Sequence, residues 1–214
     1  MLSTPLFPQF FALLLPPLYI ATLAQSSFIQ IGVLFESLCP DSINFILGPL
    51  SDADAKFKQH IQLELVPFGK ATIHEDGEIT CQHGKYECQI NKFLGNTAKK
   101  TSENGISAIL GRMVRGADPD DWKQLAQDCY LHLDIDSETI TKTRTCANGP
   151  EGDALQRVAG QRTYSIEADP MTFVPWILWN NGSNEEVQKE SREDLKPFIC
   201  GHLKKANIDQ ANCA

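Results

Sequence analysis

Residues 28–35, FIQIGVLF, form an almost unbroken apolar run rich in β-branched and aromatic side chains. That pattern predicts a buried strand. The run ends at Glu36-Ser37-Leu38, a short turn, and Cys39-Pro40-Asp41-Ser42 follows. Proline suits the first position of a helix, and acidic or hydroxyl side chains suit its first turn. Ile43, Phe45, Ile46, Leu47 and Leu50 then supply an apolar face, which AKFKQHI continues past a kink at Pro49. QLELVP, residues 62–67, predicts a second strand. The chain thus opens as strand, turn with a cysteine, helix, strand.

The pattern then changes. Residues 71–150 hold four cysteines and little strand signal, with helices predicted over 104–115 and 120–131. DPDDW supplies the second of these with acidic residues in its first turn. The segment reads as an insertion tied down by disulfides. Beyond it, 152–163 predicts a helix, 173–179 (FVPWILW) a strand entered through Pro175, and Asn180-Asn181-Gly182 a tight turn. A last helix over 185–203 is expected to break at Pro197. This order of elements fits a thioredoxin-like α/β architecture, in which a reactive cysteine opens the helix after the first strand and a proline precedes a later strand. Cys39 and Pro175 occupy those places.

The first charged side chain is Glu36. Residues 1–24 carry a short apolar core, Phe10 to Leu15, and end in small residues at Ala21-Thr22-Leu23-Ala24. They read as a secretory signal peptide cut near Ala24. The rival, a membrane anchor, is opposed by Pro5, Pro8, Pro16 and Pro17, which leave no clean span of ~20 apolar residues. The remaining chain, 25–214, is expected to form one domain. The net charge of −8 and the lack of a Lys/Arg block exclude a nucleic-acid partner.

Entry to an oxidising compartment changes how the seven cysteines read. Most should be paired, and the odd count leaves at least one over. No CxxC pair or HxxxH spacing supports a metal, and no cofactor is expected. Cys39 is the candidate attacking thiol, because a helix N-terminus carries about half a positive charge and favours the thiolate. Ser42 stands where a second cysteine would complete a redox pair. Its hydroxyl could donate to the Cys39 sulfur, but it cannot resolve a mixed disulfide. The alternative is a purely structural Cys39. Asn181-Gly182-Ser183 is a glycosylation sequon in a predicted surface turn.

The string CQHGKYECQIN, 81–91, is the most specific feature. With LCPDS, VPFG, VPW and the closing cysteines it resembles the gamma-interferon-inducible lysosomal thiol reductase family. The resemblance implies a thioredoxin-like fold with an inserted helical, disulfide-bonded region. It implies reduction of protein disulfides in endosomes, lysosomes or after secretion, with Cys39 matching the attacking cysteine and Pro175 shaping the groove. It also exposes departures: Ser42 replaces the resolving cysteine, Asn96 stands where the signature normally ends in cysteine, and a further cysteine is missing near Arg115. On chain proximity the remaining six cysteines pair as Cys81–Cys88, Cys129–Cys146 and Cys200–Cys213. Two functions follow: a one-thiol reductase completed by an external small thiol, or a protein that captures disulfide-containing clients without turnover.

Overall fold

The structure is a computed structural model that describes residues 28–100, 123–124, 127, 135–166, 170–208 and 211–213. The leader expected over 1–24, the helix expected over 104–115 and Cys129 lie outside these residues. Of the helix expected over 120–131, the described Lys123, Gln124 and Gln127 are helical.

A three-stranded sheet organises the chain. β1 (Ile29–Phe35) is central; β2 (Ile61–Pro67) pairs with it in parallel and β5 (Trp176–Trp179) antiparallel. A parallel pair needs a crossover. Here it is a continuous helical run: α1 (Pro40–Phe45), a π segment (Ile46–Leu50) containing Pro49, and α2 (Ser51–Phe57). The kink expected at Pro49 takes the form of that π segment, since proline removes one ladder hydrogen bond.

Side-chain alternation along β1 builds two cores. Ile29, Ile31, Val33 and Phe35 join Phe45, Ile46, Phe57, Ile199 and Leu203, whereas Leu34 joins Val66, Trp176, Leu178 and Ile166. Gly32 pairs with Leu178 in the sheet register, and a β-carbon there would meet the Leu178 β-carbon at 3.0 Å. Sheet and side chain are therefore close-packed at that crossing.

After β2 come a small hairpin, β3 (Thr72–Ile73) with β4 (Ile79–Thr80), and α3 (Lys85–Lys100). α4 (Ser137–Ala147) and α5 (Pro150–Tyr164) follow. The sequence pattern missed α3 and α4. α3 starts from a polar, cysteine-bearing segment and α4 from a polar one, Asp136-Ser137-Glu138. α4 is fixed by its cap, because Asp136 accepts from the Thr139 amide at 2.8 Å. Arg162 on α5 makes a forked contact to Glu64 of β2, at 2.8 and 2.7 Å, and also reaches the Asn181 side chain at 2.8 Å.

β5 starts three residues later than the sequence suggested, because Phe173, Val174 and Pro175 precede the ladder. Asn180 and Asn181 follow with φ of 49° and 66°, the left-handed pair a tight turn requires. The closing helix is two helices, α6 (Glu185–Glu193) and α7 (Leu195–Lys205). The break falls at Asp194, not Pro197. Asp194 is extended and caps α7 through the Lys196 amide, and Pro197 lies in the first turn of α7, where a missing N–H costs no intrahelical bond.

Candidate active site

Cys39 is the N-terminal cap of α1, in extended backbone (φ −75°, ψ 119°), and half-buried. Its carbonyl accepts from the Ile43 amide at 3.1 Å, and its own amide donates back to the Glu36 carbonyl at 3.3 Å. The thiol is thus held at the end of the central strand, where unpaired helix amides favour negative charge. Asp41 sits exposed in the first turn and opposes that field.

Ser42 is fully buried. Its hydroxyl accepts from the Glu36 amide at 3.4 Å. The sequence suggested a bond to the Cys39 sulfur; among the described residues the hydroxyl has Glu36 as its neighbour instead. A buried hydroxyl is most cheaply satisfied by a backbone group within its own turn.

Leu34 faces Trp176 in the register, so Pro175 comes level with the end of β1, the end that carries Cys39. The Val174–Pro175 peptide is cis. Pro175 and Phe173 line one wall of a groove of about 650 Å³, and Asp41, Asn44 and Phe45 of α1 line another. Arg192 lies 4.4 Å over the Phe173 ring, at the edge of the same groove. The lining combines apolar Phe45, Pro49, Phe173 and Pro175 with charged Asp41, Glu185, Lys189 and Arg192.

The 81–91 string packs behind the cysteine turn. A disulfide joins Cys81 and Cys88 and closes the entry to α3, with Gly84 at φ 86° making the bend. His83 and Glu87 are then one helical turn apart, and the imidazole Nδ1 lies 2.6 Å from a Glu87 carboxylate oxygen. The second near carboxylate is Glu36, at 3.5 Å from the same nitrogen. Asn91, one turn further, accepts from the Ser37 amide at 3.0 Å. The string therefore grips the backbone just before Cys39. Glu36 was not singled out from the sequence. The signal available was the four-residue spacing of His83 and Glu87, which gives no hint of the third partner.

Glu36 and Glu87 are both buried, and His83 is one-third exposed. Burial pushes the Glu87 carboxyl above its ordinary range, the Glu36 charge adds to that, and His83 opposes it. These three are, among the described residues, the group able to offer donor atoms to a cation. The 2.6 Å contact does not suit one ion bound by both partners. At bond lengths of ~2.0–2.1 Å it would require an angle of about 80°, well below tetrahedral. The separation is that of a shared proton.

The disulfide expected between Cys200 and Cys213 is present, closing the C-terminus onto α7. Of the pair expected between Cys129 and Cys146, only Cys146 is described; it is buried with its sulfur against the Asn96 side-chain oxygen. Asn96, at the position of the missing family cysteine, is buried too, and its amide donates to the Lys92 carbonyl at 2.8 Å. Asn181 is exposed, and its amide nitrogen donates to Gln30 at 3.0 Å.

Residues 30–132 match the family model for gamma interferon inducible lysosomal thiol reductase. The chain is 31% identical over 200 residues to GILT-like protein 1 of Drosophila melanogaster, covering 86% of this chain and 78% of that protein. It is 29% identical over 183 residues to the gamma-interferon-inducible lysosomal thiol reductase of Carassius auratus, covering 84% and 70%. The fold is similar to that of Pseudomonas aeruginosa DsbA, with a TM-score of 0.52 at 12% identity, over 85% of this chain and 89% of that one. Sheet order, crossover and helices are those of a thioredoxin-like protein. Fold and relatives together support thiol–disulfide oxidoreductase chemistry. The chain belongs to the gamma interferon inducible lysosomal thiol reductase family.

Proposed function

We propose that the protein reduces disulfides in polypeptide substrates through Cys39 alone, with an external small thiol completing the cycle. The observation that carries this is the position of Cys39: half-exposed, at a helix N-terminus, at the same sheet end as Pro175 and its groove. In the first step the Cys39 thiolate attacks one substrate sulfur. A bond forms between them, the substrate disulfide breaks, and the other substrate sulfur leaves as a thiolate that takes up a proton. Ser42 has no sulfur to repeat the attack. A small thiol does so instead and frees the substrate. A second small thiol then regenerates Cys39 and leaves as the oxidised small disulfide. Pro175 and Phe173 form the wall along which an extended substrate lies.

A second reading is capture without turnover. The burial of Ser42 and its bond to Glu36 favour it, since nothing in the turn replaces the resolving thiol. Reduction of a peptide pair joined by one disulfide, with reduced glutathione present, separates the two. Catalytic reduction by the wild type, lost in C39S, supports the reductase. A stoichiometric mixed disulfide that glutathione does not clear supports capture. S42C should then turn over with less external thiol.

A secretory or lysosomal location goes with this reading, as do a leader over 1–24, a single domain over 25–214 with its insertion at about 71–150, and a glycan on Asn181. Among the described residues no helix is long and apolar enough to cross a membrane.

A further inference from the structure

Glu36 joins several of the contacts that hold the Cys39 turn. Its carbonyl receives the Cys39 amide, and its amide donates to Ser42. One carboxylate oxygen accepts from the Lys70 amide at 2.7 Å. The other is buried without a hydrogen-bond partner and lies towards His83 Nδ1. His83 in turn sits on Glu87 at 2.6 Å. Among the described residues, no Lys or Arg side chain pairs with either carboxylate. The groups that face one another here are Glu36 from the strand end, His83 from the disulfide-closed loop and Glu87 from α3. Lys70, after β2, brings only its backbone amide.

The charge count then decides how this turn behaves. With no proton on the group, two buried carboxylates carry two negative charges a few ångströms apart, and burial makes that costly. The imidazole turns its Nδ1 towards both carboxylates, so a positive charge on the ring would offset one of them. A second proton, on the Glu87 carboxyl, removes the excess charge. Each proton tightens the grip on Glu36 and lowers the negative charge beside the thiol.

We infer that Glu36, His83 and Glu87 are positioning residues for Cys39, and that protons taken up by this trio align the cysteine turn for attack. This rests on the reading of Cys39 as the attacking thiol. It assigns the His and Glu of the 81–91 string a part in the reaction, exerted through Glu36 and not by touching substrate. The raised carboxyl of Glu87 agrees with a group that holds protons easily.

The test is the rate of Cys39 alkylation by iodoacetamide, read by peptide mass spectrometry across acidic to neutral pH, in wild type, E87Q, E36Q and H83Q. The expected wild-type rate departs from a simple single-proton curve, retaining on the order of tenfold more reactivity at acidic pH than that curve gives. E87Q, which keeps the shape and removes one charge at every pH, should extend the higher reactivity beyond the acidic range. H83Q cannot take the proton and should lose the acidic advantage while E87Q retains it towards neutral pH. Far-ultraviolet circular dichroism and intact mass with the Cys81–Cys88 and Cys200–Cys213 disulfides closed show that each variant is folded. If Cys39 reacts but all four profiles overlay, the trio does not position it and the inference is wrong. If Cys39 fails to react in every protein, the reading of Cys39 as nucleophile fails first, and the inference with it.

Discussion

Replacing Gly69 by alanine should loosen the cysteine turn from a position 33 residues beyond Glu36 in the chain. Gly69 has φ 58°, a left-handed conformation that costs an alanine about 1–2 kcal/mol. A β-carbon there would also lie 2.3 Å from Glu36 Cγ and 2.8 Å from its Oε1. Glu36 is buried, so it has no solvent to swing into. It must move, and the bond from the Lys70 amide to its carboxylate must lengthen or break. A hydrogen bond to a charged group is worth about 1.5–3 kcal/mol. G69A should therefore cost about 2.5–5 kcal/mol. Gly77 is the control: φ is 84°, and nothing lies within 4 Å of a built β-carbon. G77A should cost only the backbone part, about 1–2 kcal/mol. Urea denaturation of both variants measures the difference, and alkylation of Cys39 reports whether the turn has moved. Equal losses for the two glycines would refute the argument that Gly69 exists to let Glu36 in.

Other outcomes follow from the same structure. Burial raises the Glu87 carboxyl, so folding favours its protonated form; the stability it lends is complete below the ordinary glutamate range and fades as pH rises through the raised value. E87Q should thus lose less stability than the wild type between acidic and neutral pH in urea melts, and identical slopes would contradict the cause assigned. Removing the Cys200–Cys213 bridge with a paired serine substitution opens a short loop across a separation of 13 residues and should cost about 3 kcal/mol by denaturant titration. A β-carbon on Gly160 would meet Ile73 at 2.6 Å and Phe68 at 2.8 Å, so G160A should lower stability by about 1–3 kcal/mol as α5 is pushed from the hairpin; an unchanged melting temperature would show that α5 has slack.

The elements that show in the sequence are those whose burial is uniform. β1 is buried at six of its seven positions, and its apolar run predicts it to within one residue. As candidates, Cys39 and Pro175 were legible because both lie beside such runs, one after β1 and one before β5. α3 was not. Its N-terminus is set by the Cys81–Cys88 bridge and Gly84, and its inward polar groups, Glu87 and Asn91, serve the cysteine turn and so break the apolar stripe that marks a helix. The break after α6 was misplaced for a similar reason. Proline is the louder signal, but Asp194 carries the extended backbone and the cap. Glu36 could not be read as a site residue at all, since its partners lie 34, 47 and 51 positions along the chain at Lys70, His83 and Glu87 and only the fold brings them together.

The central claim is that Cys39 alone attacks substrate disulfides. The direct measurement is intact-mass and peptide analysis of the purified protein after brief exposure to a peptide pair joined by one disulfide, quenched with acid. The account predicts one peptide added per chain, attached at Cys39, removed by glutathione and absent from C39S. An adduct on another cysteine, or none on a folded protein with its Cys81–Cys88 and Cys200–Cys213 bridges closed, would contradict it.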